Sequence, residues 1–249
     1  MLQDNDPRLD LHFLAVRQGI GFLGLILPVT LYVYGLTGAG RMQPSISEFY
    51  YTAMGDVFVG CMVAIGIFLL SYRGYRAKPD RFPLGDRATS IIAGLAALGV
   101  ALFPAGADPA FAHCMTGETT APCAGALPDP TLVTGLHFIT GPLHFACAGV
   151  FFAALAYFCL VLFPMGGKRR PDGRAAMSLE HLTYYACGVV LIAAILGALA
   201  YLVLPLKDQM RALNYIFWVE TAGVLAFSLA WLTKGDALKK PLGFRIAGP

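Results

Sequence analysis

Charged residues are scarce in this chain, and their scarcity excludes most soluble folds. Asp, Glu, Lys and Arg make up 13% of the 249 residues, whereas hydrophobic residues make up 57%. Soluble domains usually contain about 25% charged and about 45–50% apolar residues. A soluble fold of this size must present much of its surface to water, so it cannot hide this many apolar side chains. A mean hydropathy of +0.65 therefore indicates a membrane protein.

The N-terminus lacks the basic segment that opens a secretory signal peptide. The first seven residues, MLQDNDP, are acidic. The apolar stretch that follows them is longer than the core of a signal peptide, which has about 7–15 residues. We therefore expect this first apolar stretch to remain in the protein as a membrane span.

Six apolar stretches predict membrane-spanning helices, each of which needs about 20 residues to cross the hydrocarbon core. They cover approximately residues 13–34, 56–72, 89–103, 132–163, 182–204 and 215–232. Pro104, Pro164 and Pro205 each follow a span, where a residue without an N–H group ends a helix at least cost. The predicted fold class is an all-α integral membrane protein: a single six-helix transmembrane domain over 1–233 and a short basic tail over 234–249.

The distribution of Lys and Arg predicts the orientation of these spans. Fifteen of the eighteen basic residues fall on one side, and only Arg41, Lys207 and Arg211 fall on the other. Since cytoplasmic loops carry the excess of basic residues, both termini are expected in the cytoplasm. The expected location is the inner membrane of a bacterial cell. Trp218 and Trp231 lie near the two ends of the last span, where we expect both at the membrane interfaces.

Ionisable residues at one depth predict a polar pocket within the outer half of the membrane. Such residues are costly inside a bilayer and usually face the bundle interior or water. Those on the outer side are Glu48, Asp56, His137, His144 and Glu220. We predict that these five residues bind a ligand. Arg17 lies near the cytoplasmic end of the first span, and we expect it to extend to lipid phosphate.

His137 and His144 lie two helical turns apart, on one face of the fourth span. Pro142, between them, removes a backbone hydrogen bond and is expected to kink the helix. Because the two His are about 10 Å apart along the axis, one metal ion cannot easily bind both. His137, Asp56 and Glu220 from three helices form a candidate metal site, for which zinc is one option.

Cysteine and glycine positions predict structural roles. Cys114 and Cys123 lie in the long outer connection 105–131, where an oxidising environment favours a disulfide between them. Four other Cys lie within spans and are expected to be inert. Residues 19–24, GIGFLG, match a nucleotide-binding pattern, but no strand precedes them, so we interpret these glycines as sites of close helix packing.

Several segments carry a resemblance to known families. Residues 44–52 (PSISEFYYT), 55–60 (GDVFVG) and 136–138 (LHF), together with the third span, resemble uncharacterised bacterial multi-span membrane proteins with a domain of unknown function. That resemblance implies the same topology. Residues 48–52 are also similar to an acidic-aromatic stretch of alkaline ceramidases and related membrane hydrolases. This second resemblance implies a zinc site with a His-x-x-x-His pair in the last span, whereas the last span here contains no His.

Three functions fit these features. The protein could bind or move a small ligand, an ion or a lipid headgroup in an outward-facing pocket. It could be a zinc-dependent lipid hydrolase, in which the metal activates water. It could also be an accessory subunit of a membrane complex, without a pocket. The expected partners are membrane lipids and either further copies of the chain or a membrane complex. The basic loops follow from topology, so no nucleic-acid partner is expected.

Overall fold

The structure of the protein is a computed structural model, which describes residues 7–37, 42–72, 74, 84–103, 105, 137–165 and 179–237. The side chains of 7–13 and 137–140 are not described. Within these ranges the chain is entirely helical and contains no strand. In chain order the helices are α1 (Pro7–Leu36), a short 3-10 helix (Ser47–Tyr51), α2 (Gly55–Ser71), α3 (Asp86–Leu102), α4 (His137–Tyr157), α5 (Leu179–Val203), α6 (Lys207–Ala212) and α7 (Tyr215–Lys234). A π-helical segment, Phe158–Leu162, and a last turn, Phe163–Met165, extend α4.

Four helices in the described ranges are long and apolar enough to cross a membrane, which makes this chain an all-helical membrane protein. Their apolar segments are Leu14–Leu36, Gly141–Met165, Leu179–Val203 and Tyr215–Lys234. The predicted spans 56–72 and 89–103 correspond to α2 and α3, which have 17 residues each. The predictions that all six helices span the bilayer, and that both termini are cytoplasmic, stay predictions.

The long helices pack against one another in chain order. Contacts join α1 to α2, α2 to α3, α3 to α4, α4 to α5 and α5 to α7, and α7 returns to pack on α1. The long helices therefore form a closed ring, and α4 also contacts α7 across it, for example through the rings of Phe151 and Phe227. Glycines permit the close approach of α7 to α1, as the sequence predicted. A Cβ atom on Gly21 would lie 2.6 Å from Leu232 Cγ, and one on Gly24 would lie 2.5 Å from Ser228 Oγ.

The core at one end of this ring is a cluster of aromatic side chains around Trp231, which we call the aromatic cluster. The Trp231 ring lies 5.1 Å from Tyr72, 5.5 Å from Phe158 and 5.3 Å from Phe163, measured between ring centroids. Trp231 is 0% exposed, so its predicted place at a membrane interface is wrong. Its position near the end of α7 is enclosed by the π-helical segment that extends α4. By contrast, Trp218 is 50% exposed.

Candidate functional site

A cavity of about 180 Å³ lies between α4, α5 and α7, at the end of the ring opposite the aromatic cluster. Most of its wall is apolar and comes from α4 and α5, including Phe145, Ala148, Phe152, Ala194, Leu199 and Leu202. Its polar end is formed by Ser45, Ser47, Glu48, Arg211 and Glu220. The cavity is therefore amphipathic, with charged groups at one end only.

The polar end is built on residues 42–54, which form a compact turn around the 3-10 helix. The Glu48 backbone N–H donates to Ser45 Oγ over 3.1 Å, and Thr52 Oγ1 donates to the Phe49 carbonyl over 2.8 Å. These side-chain bonds satisfy backbone groups that a short helix leaves unpaired. Phe49 is fully buried between the rings of Tyr34 and Phe217. Local sequence and one buried ring thus position the Glu48 side chain at the cavity.

Hydrogen bonds attach this turn to α7. The Ile46 backbone N–H donates to Glu220 Oε2 over 2.6 Å, and the Phe217 N–H donates to the Pro44 carbonyl over 2.8 Å. A carboxylate that accepts from a backbone N–H forms a charge-assisted, short bond. The Glu220 side chain is therefore held in place at the cavity wall by a segment far away in the sequence.

An ion pair joins the turn to α6. Arg211 Nη2 lies 2.8 Å from Glu48 Oε2, and Arg211 Nη1 donates to Glu48 Oε1 over 3.4 Å. The side chains are 29% and 14% exposed, so water reaches both only in part. The corner between α6 and α7 places Arg211 here, because Asn214 adopts a left-handed backbone with φ of 50°.

The charged side chains at the polar end are not evenly paired. Arg211 pairs with Glu48, whereas no cationic side chain in the described ranges pairs with Glu220. Tyr51, which lies behind the turn, donates its hydroxyl hydrogen to the Ala105 carbonyl. Burial, with smaller effects from Tyr50 and Glu48, raises the pKa of Tyr51 above its usual range, so its hydroxyl group stays a neutral donor.

The structure brings two of the five predicted ligand-binding residues to the cavity, namely Glu48 and Glu220. His144 is buried elsewhere, and its Nδ1 atom lies 2.7 Å from the carbonyl of Phe103, just past α3. Asp56 is exposed at the start of α2 and does not line the cavity. The side chain of His137 lies outside the described residues, so its role stays a prediction.

The predicted metal site gains no support from the residues that the structure describes. These contain no group of three His, Cys, Asp or Glu side chains that could hold a metal ion. Of the predicted ligands, Glu220 accepts a backbone N–H at the cavity, whereas Asp56 is absent from the cavity wall. Because the side chain of His137 lies outside the described residues, the predicted metal site stays a prediction.

The predicted disulfide between Cys114 and Cys123 also lies outside the described residues and stays a prediction. In the described part of the chain, Cys61, Cys147, Cys159 and Cys187 are free thiols. Their place within helices α2, α4 and α5 agrees with the structural role expected for them.

Sequence reasoning missed Arg211 as a residue of this site. Arg211 was assigned to an outer connection and used only to predict orientation. A signal was present in residues 207–212, KDQMRA, whose polar sequence predicts a short helix between Pro205 and Asn214. Such a helix holds a cation near the outer ends of the spans, where the acidic residues had been predicted.

Sequence reasoning also placed Arg17 in the wrong environment. Arg17 is 8% exposed, so it does not extend to lipid phosphate. Its Nη2 atom donates to the Tyr72 hydroxyl over 3.3 Å, and its guanidinium lies 5.4 Å from the centre of the same ring. Lys234, nearby on α7, donates to the Phe163 carbonyl over 3.2 Å. These cations belong to the aromatic cluster and not to the cavity.

Comparison with protein families, with curated proteins and with solved structures gives no match for this chain. The resemblances to uncharacterised multi-span proteins and to alkaline ceramidases therefore stay predictions. What the chain does has to be inferred from the geometry of the cavity.

Proposed function

We propose that this protein binds a small ligand or a lipid headgroup in the cavity between α4, α5 and α7. In this proposal all six long helices cross the membrane, both termini are cytoplasmic, and the cavity lies in the outer half of the bilayer. The one-sided distribution of Lys and Arg supports that orientation, since fifteen of eighteen lie on the side assigned to the cytoplasm.

The observation that carries the proposal is the amphipathic cavity itself. Ligand sites are concave and mostly apolar, with a few polar groups that orient the ligand. An apolar cavity of about 150 Å³ in another protein admits benzene. The present cavity, of about 180 Å³, is large enough for a ligand of that size or for one end of a longer molecule.

The cavity wall continues to the outer surface of the helix ring. Phe145, Leu199 and Leu202 line the cavity and are also about half exposed. On helices that cross a membrane, exposed apolar side chains of this kind face lipid. A ligand dissolved in the bilayer therefore has a route to the cavity between α4 and α5.

The cavity favours ligand binding over the two alternatives. An accessory subunit without a pocket does not require an open space beside a fixed carboxyl group. A zinc hydrolase requires a group of metal ligands, and the described residues contain no group of three such side chains. Neither alternative has an observation of its own in the described part of the chain.

Two glycines provide a matched test. Gly149 lines the cavity and Gly60 lies on α2, and a Cβ atom added at either would meet no atom within 4 Å. Gly149→Leu should therefore fill the cavity without disturbing the fold, while Gly60→Leu adds the same side chain elsewhere. The probe is a photoreactive octanol, applied to protein in phosphatidylcholine nanodiscs, and labelling is mapped by mass spectrometry.

We expect saturable labelling of α4 and α5 in the wild type, reduced by unlabelled octanol. Gly149→Leu should reduce the saturable part about tenfold, because excluding about two methylene groups of the probe, at about 0.8 kcal/mol each, costs about 1.6 kcal/mol. Gly60→Leu should label like the wild type. Equal labelling in both variants would show that the cavity binds nothing and would overturn the proposal.

A further inference from the structure

We infer that the preferred ligand is a cationic amphiphile from the bilayer: an amine head that contacts Glu220 and an apolar chain that lies between α4 and α5. This inference rests on the proposed function, because it names the class of ligand for the same cavity. It follows from three properties of the described residues, namely the charge balance, the free acceptor capacity and the shape of the apolar wall.

The charge balance selects a cation. The cavity is lined by Glu48, Arg211 and Glu220, and the Arg211 guanidinium is engaged by both oxygens of Glu48. Glu220 accepts from the backbone N–H groups of Ile46 and Ser47 and pairs with no cation in the described ranges. A positively charged head supplies the missing counter-charge, whereas an anionic head would meet a carboxylate without a cation of its own.

The acceptor capacity of Glu220 suits an amine. A carboxylate has two oxygens and about four lone-pair sites. Oε2 accepts the Ile46 N–H over 2.6 Å and the Ser47 N–H also donates to this group, so about two of the four sites remain for further donors. A primary ammonium group carries three donors and no acceptor, so it matches an acceptor-only group. A neutral hydroxyl group supplies a single donor and no charge.

The apolar wall suits a chain. Between α4 and α5 it contains small side chains, Ala148, Gly149, Ala194 and Ala198, which leave a slot that the larger Phe152 and Leu202 also line. Because the slot continues to half-exposed residues on the lipid side, the chain can extend from the cavity into the bilayer. This geometry favours an amphiphile drawn from the membrane over a water-soluble amine.

The test compares two competitors of equal chain length against the photoreactive octanol, in the same nanodiscs. Octylamine should displace the probe at about one tenth of the concentration that octanol requires, because a charge-assisted hydrogen bond is stronger than one between neutral groups. Glu220→Gln should abolish this preference. Gln keeps the size and an acceptor oxygen for the Ile46 N–H but has no charge, so it preserves the fold.

The outcomes separate this inference from the proposed function. If Gly149→Leu reduces labelling but octylamine competes no better than octanol, the cavity binds ligands and the inference about the amine is wrong. The same holds if octanoate competes best, or if Glu220→Gln keeps the preference for octylamine. If Gly149→Leu labels like Gly60→Leu, the proposed function fails and the inference fails with it.

Discussion

At the start of α7, Glu220 faces a cavity, and about 21 Å further along the same helix, at about 1.5 Å per residue, Lys234 lies against aromatic rings. Both ends of the helix ring hold charged groups away from water. At the Lys234 end, side chains fill the space around the charges. At the Glu220 end, they leave an opening of about 180 Å³.

The difference shows when a buried charge indicates a binding site. At the Lys234 end, polar side chains donate to backbone carbonyls, Lys234 to Phe163 and Gln18 to Gly235. The rings of Tyr72 and Tyr184 also lie against the cations Arg17 and Lys234, respectively. Such groups fasten helix ends together. A buried charge therefore points to a ligand only where the surrounding side chains are too small to fill the space.

The largest effect is expected from Trp231→Ala, which would remove the central ring of the aromatic cluster. Trp231 is fully buried and contacts four other rings. Truncation of a buried Trp costs about 3–5 kcal/mol, because it removes contacts and leaves a cavity. The free energy of unfolding in detergent micelles would measure this cost. Trp218→Ala, at the half-exposed Trp, is the control and should cost much less.

A second prediction compares one added methyl group at two glycines, Gly21 in a tightly packed contact and Gly149 beside open space. Gly21→Ala should destabilise the fold by about 1–3 kcal/mol, because the new Cβ atom would lie 2.6 Å from Leu232 Cγ. Gly149→Ala should stabilise it by about 0.5–1 kcal/mol, since Ala is the better helix former and meets no atom at the cavity. Thermal unfolding of the two variants measures both signs. Equal shifts in the same direction would remove the contrast between the two ends.

A third prediction concerns the ion pair at the cavity. A double-mutant cycle with Glu48→Gln and Arg211→Gln should give a coupling of about 1 kcal/mol, the upper end for pairs that water partly reaches. The coupling should fall as salt is raised to about 1 M, where the screening length is about 3 Å. A coupling that salt leaves unchanged would mean that the pair is closed off from water, unlike the cavity described above.

The smallest effect is expected from Tyr72→Phe, in the aromatic cluster. It removes the hydroxyl group that accepts a hydrogen bond from Arg17 over 3.3 Å but keeps the ring beneath the guanidinium. A typical hydrogen bond contributes about 0.5–1.5 kcal/mol, and the contribution of this long bond should be about 0.5 kcal/mol. Chemical denaturation can resolve a loss of that size. A loss as large as that of Trp231→Ala would mean that this hydrogen bond, and not the rings, holds this end together.

The sequence predicted the helices well because long apolar runs define them. The span predicted over 215–232 is α7, Tyr215–Lys234, and that over 56–72 is α2, Gly55–Ser71. Helix α1 begins earlier than its apolar stretch, at Pro7, because polar residues continue a helix outside the hydrophobic run. Helix α6, with 6 residues, is too short for hydrophobic periodicity to reveal.

The site was predicted less well because the position of a residue along a helix does not tell from which side of the helix its side chain projects. Glu48, Asp56, His144 and Glu220 were grouped by depth, but only Glu48 and Glu220 face the cavity. His144 contacts the carbonyl of Phe103 instead. The packing between distant segments decides which face of a helix contacts which neighbour. That packing could not be predicted from this single sequence.

The pairing of α7 with α1 sets the order in which this protein can be completed. Gln18 and Gly235 are joined across 217 residues, and Ile46 and Glu220 across 174. Since a chain is synthesised from its N-terminus, the glycine face of α1 cannot pack against α7 until α7 has entered the membrane. The carboxyl group at the cavity arrives with that same helix. The proposed ligand site is therefore complete only once α7 is in place, and a chain that stops before Tyr215 lacks both the closed ring and the Glu220 carboxyl group.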